Sequence, residues 1–176
     1  MSLVVVTGPT RSGKSAFAEK LAATSTLPVT YVATARCNPD DREWQARIER
    51  HRRTRPDTWQ TLEEPLDLTA VLDRAEGDRC YLVDSLGTWV ANWIEAEEAE
   101  WDSRTDAFVA SLSRTAATVI LVAEEVGWGV VPAFPMGRTF RDRLGVLVQE
   151  VAATSDRVYL VVAGYAIDVK RYGEKV

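Results

Sequence analysis

Short apolar runs recur along this chain, and the segments between them carry helical spacing. LVVVT at 3–7, VTYVAT at 29–34, CYLVD at 80–84, TVILVA at 118–123 and RVYLVVAG at 157–164 are dominated by apolar, often β-branched residues. Runs of that length predict strands buried on both faces, as in a parallel sheet covered by helices. KSAFAEKLAAT at 14–24 sets Phe17 and Leu21 four apart with Ala18 beside them, which predicts a helix. NPDDREWQARIERHRR at 38–53 predicts another. Asn38 suits its N-cap, Pro39 its first helical position, and Asp40 and Asp41 its positive end; Pro56 stops it. EPLDLTAVLDRAE at 64–76 puts Leu68, Val71 and Leu72 on one face, and further helices are expected over 86–98, 101–116 and 138–153. AIDVK at 166–170 is expected to return as a hairpin strand through Gly164 and Tyr165. The alternation predicts an α/β fold, a mainly parallel sheet flanked by helices. Residues 1–176 show no repeat, low-complexity tract or linker, so one domain is expected. The order of the strands is not contained in the pattern.

Composition narrows the function classes. Apolar residues make up 46% of 176, enough for a substantial core, and the formal net charge is −5. That balance argues against a general nucleic-acid or membrane-surface binder. Positive charge is local, at 47–55 and at Arg138, Arg141 and Arg143. No stretch approaches the roughly 18 apolar residues of a membrane span. The first residues run directly into a strand without the marks of a targeting segment, and a cytoplasmic location is expected. Cys37 and Cys80 are too few for a disulfide scaffold and are not spaced as a metal site; both are expected to be small, partly buried residues.

The first strand leads into candidate chemistry. Gly8-Pro9-Thr10-Arg11-Ser12-Gly13-Lys14-Ser15 fits G-x-x-x-x-G-K-[ST], after a strand and before a helix. In such a P-loop, backbone N–H groups converge on phosphate oxygens and the helix start adds positive potential. Lys14 is expected to reach the β- and γ-phosphates, and Ser15 to offer its hydroxyl to Mg2+. An acid near that ion is required. Asp84, ending the strand at 80–84, is the first candidate, and Glu124 and Glu125, ending the strand at 118–123, are its rivals.

The chain has one histidine, His51, within RIERHRRTRP at 47–56 beside five arginines. Helix physics offers a plain account. Arg50, Arg52 and Arg53 lie in a last turn, where cations complement the dipole, and Glu43–Arg47 and Glu49–Arg53 are favourable i,i+4 pairs. Chemistry offers a second. A neutral imidazole can attack an α-phosphorus and expel pyrophosphate, while neighbouring arginines hold the phosphates. From the residues alone both accounts stand.

TGPTRSGKSAFAE, YVATA, DREWQARIERHRRTRPDTWQTLEEP, LVDSLGTWVANW, EEVGWGVVP, GRTFRDRLGVLVQ and DRVYLVVAG follow in order along nearly the whole chain. With these segments it resembles the bifunctional adenosylcobinamide kinase/adenosylcobinamide-phosphate guanylyltransferases of cobalamin biosynthesis. The resemblance implies a RecA-like P-loop NTPase domain assembled as a homotrimer. It implies phosphorylation of adenosylcobinamide with ATP or GTP, then transfer of GMP from GTP through a guanylylated histidine matching His51. It places Arg52, Arg53, Thr54 and Arg55 at GTP, Ala33, Thr34 and Ala35 in a second nucleotide-contacting segment, and Glu63 and Asp84 at the family's two acids. Pro9 stands where the family commonly has glycine; Glu124 and Val148 stand where it often has asparagine. These departures bear on nucleotide preference and kinase efficiency rather than on reaction class. A P-loop kinase without guanylyl transfer and a nucleotide-gated regulatory protein are the alternatives. Trp89, Trp93 and Trp128 are candidates to line a corrinoid pocket, against ordinary packing.

Overall fold

The computed structural model of the chain describes residues 2–36 and 55–176. Its strands are β1 (Ser2–Gly8), β2 (Val29–Ala33), β3 (Gln60–Glu63), β4 (Cys80–Asp84), β5 (Thr118–Glu124), β6 (Arg157–Val162) and β7 (Tyr165–Asp168). They form one sheet in the order β3-β2-β4-β5-β1-β6-β7. Every neighbouring pair is parallel except β6 and β7, the expected hairpin. The described helices are α1 (Lys14–Thr24), α2 (Leu68–Asp73), α3 (Leu86–Asn92), α4 (Glu98–Arg114), α5 (Pro135–Thr154) and α6 (Val169–Tyr172).

Strand periodicity divides the core into two layers. Val4 and Val6 of β1 join Tyr31, Leu82 and Val122 under Ala18 and Ala22 of α1. Leu3 and Val5 point the other way, into a larger cluster built with Leu68, Leu72, Trp89, Phe108, Leu112, Leu144 and Leu147. Alternate residues of a strand take opposite faces, so a continuous apolar run serves both layers. Trp89 anchors the larger layer, with its ring 5.0 Å from Phe108 and 5.6 Å from Trp101, and its indole N–H donating to Leu66 O at 2.9 Å.

Several boundaries differ from those the sequence predicts, each for a local reason. β3 carries one leucine in four exposed residues and has no apolar pattern; pairing with β2 alone makes it a strand. The helix expected from 64 starts at Leu68, because the Glu64 carboxylate binds the N–H groups of Leu66 and Asp67 in a turn and Asp67 caps Ala70 N. α3 stops at Asn92, and the Asn92 side-chain amide donates to Thr34 O and Pro65 O. α5 begins three residues early, with Pro135 in its first turn. The hairpin strand ends at Asp168, which caps α6 through Arg171 N. The helix expected over 38–53, and Cys37, lie outside the described residues.

This topology fixes where a ligand can enter. The helix after β1, α1, covers one face, and the helix after β5, α5, belongs to the opposite layer. The two connections therefore part at the C-terminal ends of β1 and β5, which are adjacent strands. A crevice at such a switch point is where open α/β sheets bind ligands.

Candidate nucleotide site

The loop from Gly8 to Ser15 sits at that crevice. A Cβ on Gly8 would lie 2.2 Å from Val161 O and 2.9 Å from Ser12 Oγ, so no larger residue fits between β1 and β6. Arg11 (φ 59°) and Gly13 (φ 98°) both take left-handed conformations, which tighten the turn. Its base is tied down by Glu125 N–H to Gly8 O at 2.9 Å and Gly164 N–H to Ser12 O at 2.9 Å. Pro9 lacks an N–H, yet its carbonyl accepts from Ser12 N at 3.3 Å and from Lys14 Nζ at 3.4 Å. Lys14 is therefore folded back over the loop, 9% exposed. Ser12 is buried, and its hydroxyl finds no partner among the described residues. Thr10 and Arg11 are exposed, and Ser15 is half-buried in the first turn of α1. The N–H groups of Lys14, Ser15 and Ala16 precede the first helical hydrogen bond, from Phe17 N to Gly13 O at 3.0 Å, and can serve an anion.

A second set of candidates meets in one row across the sheet. Parallel register pairs Ala33 with Glu63 on one side and with Asp84 on the other. Three residues far apart in sequence thus share the C-terminal edge. Glu63 is exposed there, and Ala35 is half-buried just beyond. Thr34 is fully buried; its hydroxyl accepts from Ser85 N and donates to Ser85 O, both at 2.8 Å. The Thr34 side chain is thus committed to joining the ends of β2 and β4.

The acid of β4 is held by Tyr31, a residue the sequence pattern does not single out. The Tyr31 hydroxyl donates to Asp84 Oδ2 at 2.8 Å, and the Arg55 guanidinium lies 3.3 Å over the Tyr31 ring. Burial and the Asp84 charge push the Tyr31 phenol well above its usual range, with Arg55 opposing. Glu19, one turn after Ser15 on α1, joins the same group. Its pKa is raised by burial and by Asp84, and lowered by Arg55. Spacing contains the clue to both. Glu19 follows Ser15 by four on a helix, and Tyr31 precedes Ala33 by two on a strand, so each pair shares a face.

The rival acids both make hydrogen bonds near the ends of their strand. Glu124 Oε1 accepts from Ser85 Oγ at 2.6 Å and Oε2 from Gly87 N at 3.0 Å. The extra negative charge expected at this position is thereby set against the start of α3, where a carboxylate is favourable. Glu125 accepts from Gly127 N at 2.6 Å within its own turn. Val148 packs against the larger core layer. Among the tryptophans, Trp89 is core, Trp93 is half-buried beneath the Arg104 guanidinium, and Trp128 is 61% exposed on the loop after β5. His51, Arg52, Arg53 and Thr54 lie outside the described residues.

The donor set suits a hard cation. Among the described residues no three His, Cys, Asp or Glu side chains could together cage a metal. Mg2+ needs no such cage, since it takes one or two protein oxygens and completes its shell with phosphates and water. The Ser15 hydroxyl fits that need. So does Asp84, whose Oδ1 receives no hydrogen bond from a described residue.

Comparison with known proteins then decides the family. The family model described as cobinamide kinase / cobinamide phosphate guanyltransferase matches residues 4–169. The chain belongs to this family. It is 42% identical over 168 residues to the bifunctional adenosylcobalamin biosynthesis protein CobP of Pseudomonas aeruginosa, covering 94% of this chain and 96% of the relative. It is 34% identical over 183 residues to the protein CobU of Escherichia coli, also described as a bifunctional adenosylcobalamin biosynthesis protein, covering 96% and 99%. Solved structures share the fold at much lower identity. The flagellar accessory protein FlaH of Methanocaldococcus jannaschii superposes with TM-score 0.53 at 14% identity, over 99% of this chain and 82% of that one. A protein of Pyrococcus horikoshii does so with TM-score 0.57 at 8% identity, over 96% and 85%. For this cobinamide kinase/guanylyltransferase family member, the expected RecA-like α/β class agrees with the observed sheet. No described helix is long and apolar enough to cross a membrane.

Proposed function

We propose that this chain phosphorylates adenosylcobinamide with ATP or GTP and then converts the phosphate to adenosylcobinamide-GDP. The observation that carries the reading is the tied-down loop at the β1–β5 crevice, with Lys14 folded over it and Asp84 on the same sheet edge. In the first reaction the aminopropanol hydroxyl oxygen attacks the γ-phosphorus. The bond to the departing nucleoside diphosphate breaks, and the hydroxyl proton is released. The loop amides and Lys14 hold the phosphates as charge moves towards the leaving group. Mg2+, when bound with the nucleotide, neutralises phosphate charge; Ser15 and Asp84 would hold it.

In the second reaction neutral His51 attacks the α-phosphorus of GTP, and pyrophosphate leaves. A phosphate oxygen of the corrinoid then attacks the same phosphorus and frees the imidazole. Arg52, Arg53, Thr54 and Arg55 contact this GTP, as do Ala33, Thr34, Ala35 and Glu63. For Thr34 that contact is through the edge it braces rather than through its hydroxyl. The enzyme works as a homotrimer in the cytoplasm, with residues 1–176 as one catalytic domain.

Incubation with GTP labelled at the α-phosphate tests the reading. An acid-labile, alkali-stable label on the protein is expected, and it disappears in His51→Ala. Absence of label while adenosylcobinamide is still phosphorylated leaves a kinase alone. Absence of any corrinoid conversion alongside GTP binding would sink the enzymatic reading.

A further inference from the structure

The side chain of Tyr31 touches both a candidate acid and a candidate phosphate-binding cation. We infer that Tyr31 is a positioning residue: its hydroxyl fixes the Asp84 carboxylate and its ring carries Arg55, holding both charges in one arrangement beside the phosphate loop. This rests on the reading of Asp84 given above.

The geometry is a consequence of register. Tyr31 pairs with Leu82 and Ala33 with Asp84. In a parallel ladder, residues at i and i+2 share a face, so Tyr31 and Asp84 lie on the α1 side one pleat apart, roughly 6.5 Å along the strand. A tyrosine side chain is long enough to span that step and meet the carboxylate, and the hydrogen bond of 2.8 Å shows that it does. Tyr31 is 3% exposed, packed in the layer beneath α1. A buried phenol needs a polar partner, and this one has taken an oxygen of Asp84. The bond selects one rotamer of Asp84, and Oδ1, which receives no hydrogen bond from a described residue, is placed to serve a metal or a phosphate-bound water. Groups that orient a ligating carboxylate are commonly as important as the ligand itself.

The second contact lies on the ring face. Arg55 is half-buried with its guanidinium 3.3 Å from the ring centroid. Stacking holds the guanidinium plane without consuming its N–H donors, and Arg55 Nε, buried, has no hydrogen-bond partner among the described residues. Glu19 of α1 feels the same charges: burial and Asp84 raise its pKa, and Arg55 opposes them. The cluster thus sets one carboxylate and one cation on a single tyrosine.

The test compares Tyr31→Phe, Asp84→Asn and the double variant in the intact enzyme. Tyr31→Phe keeps the ring and the Arg55 stack and removes only the hydroxyl. The readouts are Mn2+ affinity in the presence of GTP, followed by electron paramagnetic resonance, and kinase kcat and KM. In Tyr31→Phe, Mn2+ affinity and kcat are expected to fall about 10-fold or more, with KM for adenosylcobinamide unchanged. In the Asp84→Asn background the same substitution is expected to change neither. Unchanged Mn2+ affinity in Tyr31→Phe, with Asp84→Asn impaired, overturns the positioning role alone. An equal loss in both backgrounds, as from general destabilisation, overturns it too. If Asp84→Asn itself binds Mn2+ and turns over normally, the reading of Asp84 falls first and this role falls with it.

Discussion

Glu124 supports a quantitative prediction, because each oxygen of its carboxylate has its own partner at the start of α3. It accepts the buried Gly87 N–H in the first turn of α3 and the hydroxyl of Ser85, the N-cap of that helix. Glu124→Ala leaves Gly87 N–H without an acceptor, which costs about 1–3 kcal/mol. It also removes a carboxylate from the first turn of α3, a further ~0.3–1 kcal/mol. Ser85 Oγ keeps Thr88 Oγ1 as a partner at 3.1 Å and adds little. Glu124 is only half-buried, so water softens the loss, and a total of about 2 kcal/mol is expected. At this chain length that lowers Tm by about 4–8 °C. Glu124→Gln retains an acceptor and should lose about half as much.

The stronger check is a cycle with Gly87. A Cβ there would lie 2.0 Å from Glu124 Oε2 and 2.8 Å from its Cδ, with Leu144 Cδ2 at an ordinary 3.5 Å. Gly87→Ala alone should therefore cost about 1–3 kcal/mol by overpacking. In the Glu124→Ala background the obstacle is gone, and the same change should be nearly neutral. Urea unfolding followed by far-UV circular dichroism measures all four corners, at one protein concentration because association would shift the midpoint. Additivity within about 0.5 kcal/mol would refute the reasoning, since it would mean that Gly87 and Glu124 do not share this space.

Gly8→Ala should abolish GTP binding measured by calorimetry and lower Tm, because its Cβ must displace Val161 O or the loop itself; retained affinity would deny the close approach. Burial pushes the Cys80 thiol up to about 11, with a weaker opposing pull from Ser25. At pH 8 only roughly 0.1% is thiolate, so in a Cys37→Ser variant Ellman's reagent should find no reactive thiol until denaturant is added. Trp89→Phe should leave kinase kcat and KM within twofold and cost about 1–2 kcal/mol, from the lost bond to Leu66 O and the lost ring volume. A large rise in KM for adenosylcobinamide would instead put Trp89 at the substrate.

Much of this molecule is determined locally and was legible as such. The apolar runs of β1, β2, β4, β5 and β6 must be buried on both faces, and that alone implies a helix-covered parallel sheet. The phosphate loop is a continuous stretch whose glycines, lysine and serine act through their own backbone and neighbours, so its spacing is its signature. β3 was not legible, because QTLE becomes a strand only by pairing with the edge of β2. The strand order was not legible either, since it depends on which layer each crossover helix joins. That order decided the site. It set β1 beside β5, aligned Glu63, Ala33 and Asp84 in one row, and brought Tyr31 and Glu19 to the acid. It also gave Glu124 partners at the start of α3. Local sequence fixes backbone conformation and burial pattern through short-range sterics and hydrophobicity. Which distant side chains meet depends on long-range pairing, and only the folded sheet supplies it.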